Sequence, residues 1–191
     1  MKSLELSDLL DLVQYEKQRQ AVRAEMMEIK ARRRLPLNGF LTLLFENRRT
    51  VWYQVQEMAR AERMVEDAAL QGELDTYGPL VPSGSEWKAT LYIEIPEEGL
   101  LKKMLPTLVG VEHSIFARIG GLEVRAAGEE GRSREDYTST VHYLTFTLPA
   151  EAVRRLRAGE PLYFGSKHAA AACEVETPGL LREELSGDLD S

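Results

Sequence analysis

Leu41 to Glu62, LTLLFENRRTVWYQVQEMARAE, carries a strand into a helix and sets how the rest of the chain is read. The apolar run Phe40 to Phe45 reads as a strand, Glu46-Asn47-Arg48-Arg49 follows, and Thr50 caps a helix written VWYQVQEMARAERMV. At about 100° per residue, Val51, Val55, Met58, Ala59 and Val65 share one side of that helix, with Glu62 at its centre. A carboxylate on an apolar face costs on the order of several kcal/mol unless an ionic or hydrogen-bonding group meets it. Glu62 is therefore expected to be buried against a partner. The candidates are an arginine (Arg23, Arg33 or Arg48) in a structural ion pair, or His142 in a functional one.

Upstream, Ser7-Asp8 and a run without Gly or Pro predict a helix from Asp8 to Arg33. Its apolar stripe turns between Leu9, Leu10, Leu12, Val13 and Tyr15, Val22, Met26, Ile29, which predicts a break or two different packing neighbours. The second option suggests an arm that contacts another subunit. Leu37 to Phe45 is expected as strand, and AALQGELDTY (68–77) as a further helical segment. Gly78-Pro79, Pro82 and Ser83-Gly84-Ser85 then form a loop.

Beyond that loop, KATLYIEIPEEGLLKKM (88–104) aligns without gaps on VHYLTFTLPAEAVRRLR (141–157). Each reads as a strand, a proline at the first helical position, an acid in the first turn and a base near the last. Two strand candidates follow each copy: 112–119 and 122–127, joined by a Gly120-Gly121 turn, and then 162–164 and 169–176. Two β-α-β-β units predict an α+β protein, with an N-terminal helical region packed on a mainly antiparallel sheet. Strand, proline, helix is a common succession, so the match carries the class further than it carries a duplication. GEEGRSREDY (128–137) reads as an exposed loop and PGLLREELSGDLDS (178–191) as a short helix fraying into an acidic end.

At 191 residues and 43% apolar content the chain can bury a real core. Residues 1–84 read as a helical region with one strand and 85–191 as an antiparallel-sheet region, together one compact domain. The net charge of -7 splits into +3 over residues 1–60 and -10 over 61–191, which argues against a broad nucleic-acid surface on the second part, and no nucleic-acid partner is expected. Lys30, Arg32, Arg33, Arg34, Arg48 and Arg49 form a basic cluster, readable as an anion or partner site or as the helix C-terminus complementing its dipole. A single cysteine, Cys173, excludes disulfide frameworks and cysteine-rich metal centres within the chain. The acidic start MKSLELSDLLDL and the lack of a long apolar window predict a cytoplasmic protein without a membrane partner.

In STVHYLTFTL, alternation puts His142 with Leu144, Phe146 and Leu148 on one strand face. His142 there is either a ligand or proton carrier or a hydrogen-bonded core histidine. Lys167 and His168, after Gly165, could hold an anion or simply connect two strands. No Glu-x-x-His pair, H-E-x-x-H, Walker loop, G-x-G-x-x-G or G-x-S-x-G is present.

FENRRTVWYQVQEMARAER (45–63), ELDTYGPLVP (73–82), WKATLYIEI (87–95), STVHYLTFTL (139–148) and the Gly165/His168 turn resemble the uncharacterised bacterial family catalogued as domain of unknown function 3501. One departure is Ala171, where the family commonly has an aromatic three positions after the turn histidine. The resemblance carries over no reaction, no catalytic residue and no cofactor. It implies a setting, since members tend to be encoded near rubrerythrin-like di-iron proteins and iron-sulfur proteins similar to heterodisulfide reductase subunits.

These readings converge on a non-catalytic accessory protein in redox or peroxide defence. It would bind an iron-sulfur or rubrerythrin-like partner through its N-terminal region and associate with itself as a homo-oligomer. The alternative is a metal-dependent or small-ligand-binding enzyme. Its pocket would lie between the 51–65 helix and the sheet, with Glu62 and His142 as catalytic or metal-ligating groups and Arg48, Tyr53 and Glu57 nearby.

Overall fold

β2 (Leu41–Phe45) is buried at every position, because one face meets the core of the molecule and the other is covered by helices. The structure, a computed structural model, describes residues 2–129, 131, 133 and 137–189. Among them the order is α1 (Leu12–Arg33), β1 (Arg34–Pro36), β2, α2 (Arg48–Ala61), α3 (Asp67–Tyr77), β3 (Glu86–Ile93), α4 (Glu98–Met104), β4 (Ile115–Ile119), β5 (Leu122–Arg125), β6 (Ala127–Gly128), β7 (Val141–Thr147), α5 (Ala150–Arg157), β8 (Leu162–Ser166), β9 (Cys173–Glu176) and α6 (Gly179–Asp188).

The strands form two antiparallel sheets, β1-β2-β3-β7-β6 and β5-β4-β8-β9. The fold is α+β. The strand-helix-strand-strand order occurs twice, as β3-α4-β4-β5 and β7-α5-β8-β9. Exchanging the two units leaves the pairing unchanged: β3 lies beside β7, β4 beside β8, and β5 and β9 flank the second sheet. The first sheet crosses residue 84, since β2 pairs with β3 from Leu41↔Ile93 to Phe45↔Ala89.

Between the sheets lie Leu41, Leu43, Phe45, Trp87, Leu91, Ile115, Ala117, Phe146 and Phe164. Phe164 is the hub, with ring centroids 4.8 Å from Phe45, 5.7 Å from Trp87 and 5.5 Å from Phe146. Such pairs contribute roughly 0.5–1.5 kcal/mol beyond burial. Trp87 donates its indole N–H to the carbonyl of Leu185 at 2.9 Å, which ties α6 to this core. Residues 179–189 are thus packed, with Leu181, Leu185, Asp188 and Leu189 buried, where the sequence predicted a helix that frays. A second cluster joins Tyr15 and Val22 of α1 to Val51, Trp52 and Val55 of α2 and Leu74 of α3.

Several boundaries differ from expectation for local reasons. Asp11 caps α1 by accepting from Gln14 N, so the helix begins at Leu12. Leu9 and Leu10 lie outside it; of the first stripe only Leu12 and Val13 belong to the helix, half-buried and exposed, while Tyr15, Val22 and Met26 are buried. The Asn38 side chain accepts from Phe40 N and Leu41 N, turning the chain between β1 and β2 where a continuous strand was expected. Asn47, three residues ahead of Thr50, is the α2 N-cap; its side chain accepts from Thr50 N, and Thr50 Oγ1 accepts from Asn47 N. Pro149 caps α5 and Pro96 precedes the Glu97 cap of α4, one and two positions before the expected place. The β4–β5 hairpin turns at Gly120-Gly121, both at positive φ (52° and 87°), as a tight turn of this hand requires. Of the loop expected at 128–137, Gly128 belongs to β6 and Ser133 bridges Thr138; residues 130, 132 and 134–136 lie outside the described residues.

Candidate functional site

α2 ends at Ala61, with Glu62 as its C-cap and Arg63 at φ 54° in the left-handed conformation. The wheel that centred Glu62 on an apolar face assumed a helix reaching Val65, and Val65 is itself 70% exposed. Glu62 is exposed, and the expectation of a buried carboxylate there is corrected. The pairing with His142 fails with it.

His142 faces the space between the sheets, with the alternation read from the sequence, and is fully buried. α2 covers the opposite face of the same sheet, which carries Val141 and Tyr143. His142 Nε2 lies 2.9 Å from Ser139 O and 3.0 Å from Thr138 Oγ1. A carbonyl only accepts, so Nε2 carries the proton. Nδ1 faces Glu112 Oε2 at 4.0 Å, and the other Glu112 oxygen accepts from Ser133 Oγ at 2.6 Å. The carboxylate beside His142 is therefore Glu112.

The remaining candidates are held by neighbours. Arg19 forms two 2.8 Å bonds with the Glu57 carboxylate, and the Tyr15 hydroxyl adds a third at 2.6 Å. The Arg19 guanidinium holds the Glu57 carboxyl below its ordinary range against the opposing effect of burial. Tyr53 is half-buried with the Lys30 ammonium 5.2 Å from its ring centre, and burial, then the Glu57 charge, push its phenol up. Arg48 pairs with Asp8 at 2.6 Å and donates to Lys2 O. Lys167 pairs with Glu123 at 2.6 Å, and His168 Nε2 sits 3.1 Å from Val109 O. Lys167 and His168, where an anion was expected, thus each lie against an acceptor of the chain itself, a carboxylate and a carbonyl. Most of the arginines of the basic cluster are likewise paired from within, Arg32 with Glu184, Arg34 with Glu94 and Arg49 with Glu25.

Arg33, offered above as a partner for Glu62, is 1% exposed and binds elsewhere. It donates to Phe45 O (2.9 Å), Glu46 O (3.2 Å), Glu184 Oε2 (2.8 Å) and Asp188 Oδ2, clamping α1, the end of β2 and α6 together. Among the described residues no group of three or more His, Cys, Asp or Glu side chains is placed to hold a metal ion. No helix among them is long and apolar enough to cross a membrane.

Two concavities beside α2 bear on the functional reading. One, of about 220 Å³, lies between α2 and the sheet and is lined by Lys30, Glu46, Thr50, Val51, Gln54, Leu80, Thr90, Tyr92, Val141 and Tyr143. A pocket at this place was expected, but other residues line it. Glu46 is 8% exposed; Thr90 Oγ1 donates to Oε1 at 2.6 Å and Thr50 Oγ1 to Oε2. Burial, with the Glu46 charge second, pushes the Tyr92 phenol up to about 12. Two-residue alternation in WKATLYIEI and STVHYLTFTL, followed from the core residues Leu91 and Leu144, places Thr90, Tyr92 and Tyr143 on the other face, a signal the sequence reading did not use for this cavity. What the sequence lacked was the identity of the helix that covers them.

The other is an open groove where the start of α1 meets the end of α2, lined by Leu12, Val13, Glu16, Lys17, Arg60, Ala61, Arg63 and Val65. It continues past Leu12 and Val65 to Leu6, Leu9, Leu10 and Met64. Val13 is 65% exposed. Arg60 pairs with Glu16 at 2.6 Å, while Lys17 and Arg63 make no ion pair among the described residues.

Comparison with known proteins agrees with this picture. No protein of curated function matches the chain. A crystal structure at 1.90 Å of a protein of unknown function from Burkholderia pseudomallei K96243 is 36% identical, with a TM-score of 0.93 over 99% of this chain and 100% of that one. The sequence profile described as protein of unknown function, domain of unknown function 3501, matches residues 3–189, and the chain belongs to that family.

Proposed function

We propose that this is a non-catalytic accessory protein that docks a protein partner in a redox or peroxide-defence setting. The observation that carries the reading is the apolar groove at the junction of α1 and α2, lined by the exposed Val13 and Val65 and by two cations, Lys17 and Arg63, that make no ion pair among the described residues. Contiguous exposed apolar surface of this kind marks interaction sites. The charge selects an acidic amphipathic segment, with apolar side chains on Leu12, Val13 and Val65 and carboxylates toward Lys17 and Arg63. The family setting supports an iron-sulfur or rubrerythrin-like di-iron protein as its source.

The test is affinity purification from the native cell with wild type and with a Val13→Asp/Val65→Asp variant, which alters exposed positions only. A redox protein recovered with wild type and lost with the variant supports the reading; one retained by both refutes the groove. Recovery of a second copy alone, with dimer in sedimentation, would replace the partner by self-association.

A further inference from the structure

Glu46 and Lys30 carry opposite charges and line the same cavity, yet they do not pair with one another. The Glu46 carboxylate is more than nine-tenths buried, and its side-chain donors among the described residues are two neutral hydroxyls, those of Thr50 and Thr90. A carboxylate accepts about four hydrogen bonds, and a buried one without a counter-charge is costly. Glu46 lines the cavity with one hydroxyl donor on each of its two oxygens. Lys30 has no carboxylate partner among the described residues, and its ammonium rests over the Tyr53 ring. Tyr92 and Tyr143 supply aromatic wall, and Val51 supplies apolar wall.

We infer that this cavity binds a small aliphatic amino acid as its zwitterion, with the ammonium on Glu46 and the carboxylate on Lys30. One molecule then answers both unpaired charges, and the tyrosine faces favour the cationic end. About 220 Å³ corresponds to roughly seven water volumes at about 30 Å³ each, which suits a ligand of about seven non-hydrogen atoms. This site is separate from the partner groove and stands or falls apart from it.

The experiment is calorimetric titration of the full chain with glycine, L-alanine, γ-aminobutyrate and 5-aminopentanoate, with butylamine and butyrate as single-ended controls. At least one zwitterion is expected to bind at least tenfold more tightly than either control. Lys30→Met should weaken it at least tenfold, Lys30→Arg should retain it, and Glu46→Gln should abolish it. Circular dichroism checks that Glu46→Gln folds; if it does not, Lys30→Met decides. Absence of binding by every zwitterion, binding of butylamine as tightly as the best zwitterion, or indifference to Lys30→Met each overturns the inference. Partner capture by the Lys30→Met variant reads the groove independently.

Discussion

Replacing Arg33 by methionine tests the clamp that closes the C-terminal helix over the fold. The guanidinium satisfies two backbone carbonyls, Phe45 O and Glu46 O, and two carboxylates, Glu184 and Asp188. Met fills much of the volume but leaves Asp188, 6% exposed, as a buried charge without its counter-ion. Breaking a buried pair in this way costs about 3–5 kcal/mol. For a chain of this length that is a fall in Tm of about 6–20 °C. The loss also depends on pH. Burial raises the Asp188 carboxyl above its ordinary value and Arg33 opposes the rise, with Glu184 a lesser repulsion. A carboxyl whose folded value is raised contributes most below its unfolded value and loses that contribution as pH climbs through the folded one. Without Arg33 the folded value moves higher still, so the deficit of the variant is smallest in acid, where Asp188 is neutral, and grows toward neutral pH. Urea unfolding at acidic and neutral pH measures both effects. Arg33→Met/Asp188→Leu should recover most of the loss, because an apolar pair replaces the ionic one. A deficit below about 1 kcal/mol, one that does not vary with pH, or no recovery in the double variant would refute the reasoning.

Three further outcomes are expected. Arg63→Gly should stabilise by about 0.5 kcal/mol in urea unfolding, since a left-handed non-glycine residue costs about 1–2 kcal/mol and glycine returns part of that as unfolded-state entropy. Gly165→Ala should destabilise by about 1–3 kcal/mol or more, because its Cβ would press on the Cys173 carbonyl and sit 2.8 Å from the Phe116 ring. Amide exchange should then show β9 loosening first. In ultraviolet titration, Tyr92→Phe should remove a phenol that ionises near 12. Glu46→Gln should let Tyr92 ionise at lower pH by removing a neighbouring negative charge. The raised phenol contributes stability that is lost as pH climbs from the ordinary tyrosine value toward 12.

The sequence by itself determined the strands and most helices, because alternation and helical periodicity are local properties. The two-unit repeat, the Gly120-Gly121 hairpin and the inward face of His142 were all legible in this way. Glu62 was misread for the same reason: a helix wheel holds only as long as the helix does, and α2 stops one residue earlier. Only the tertiary structure decided the partners. Arg33 meets Asp188 across 155 positions, Thr90 meets Glu46 across 44, and Glu112 rather than Glu62 stands beside His142. An ionic side chain is satisfied by whatever charge the fold brings within a few ångströms. No spacing along the chain encodes that distance.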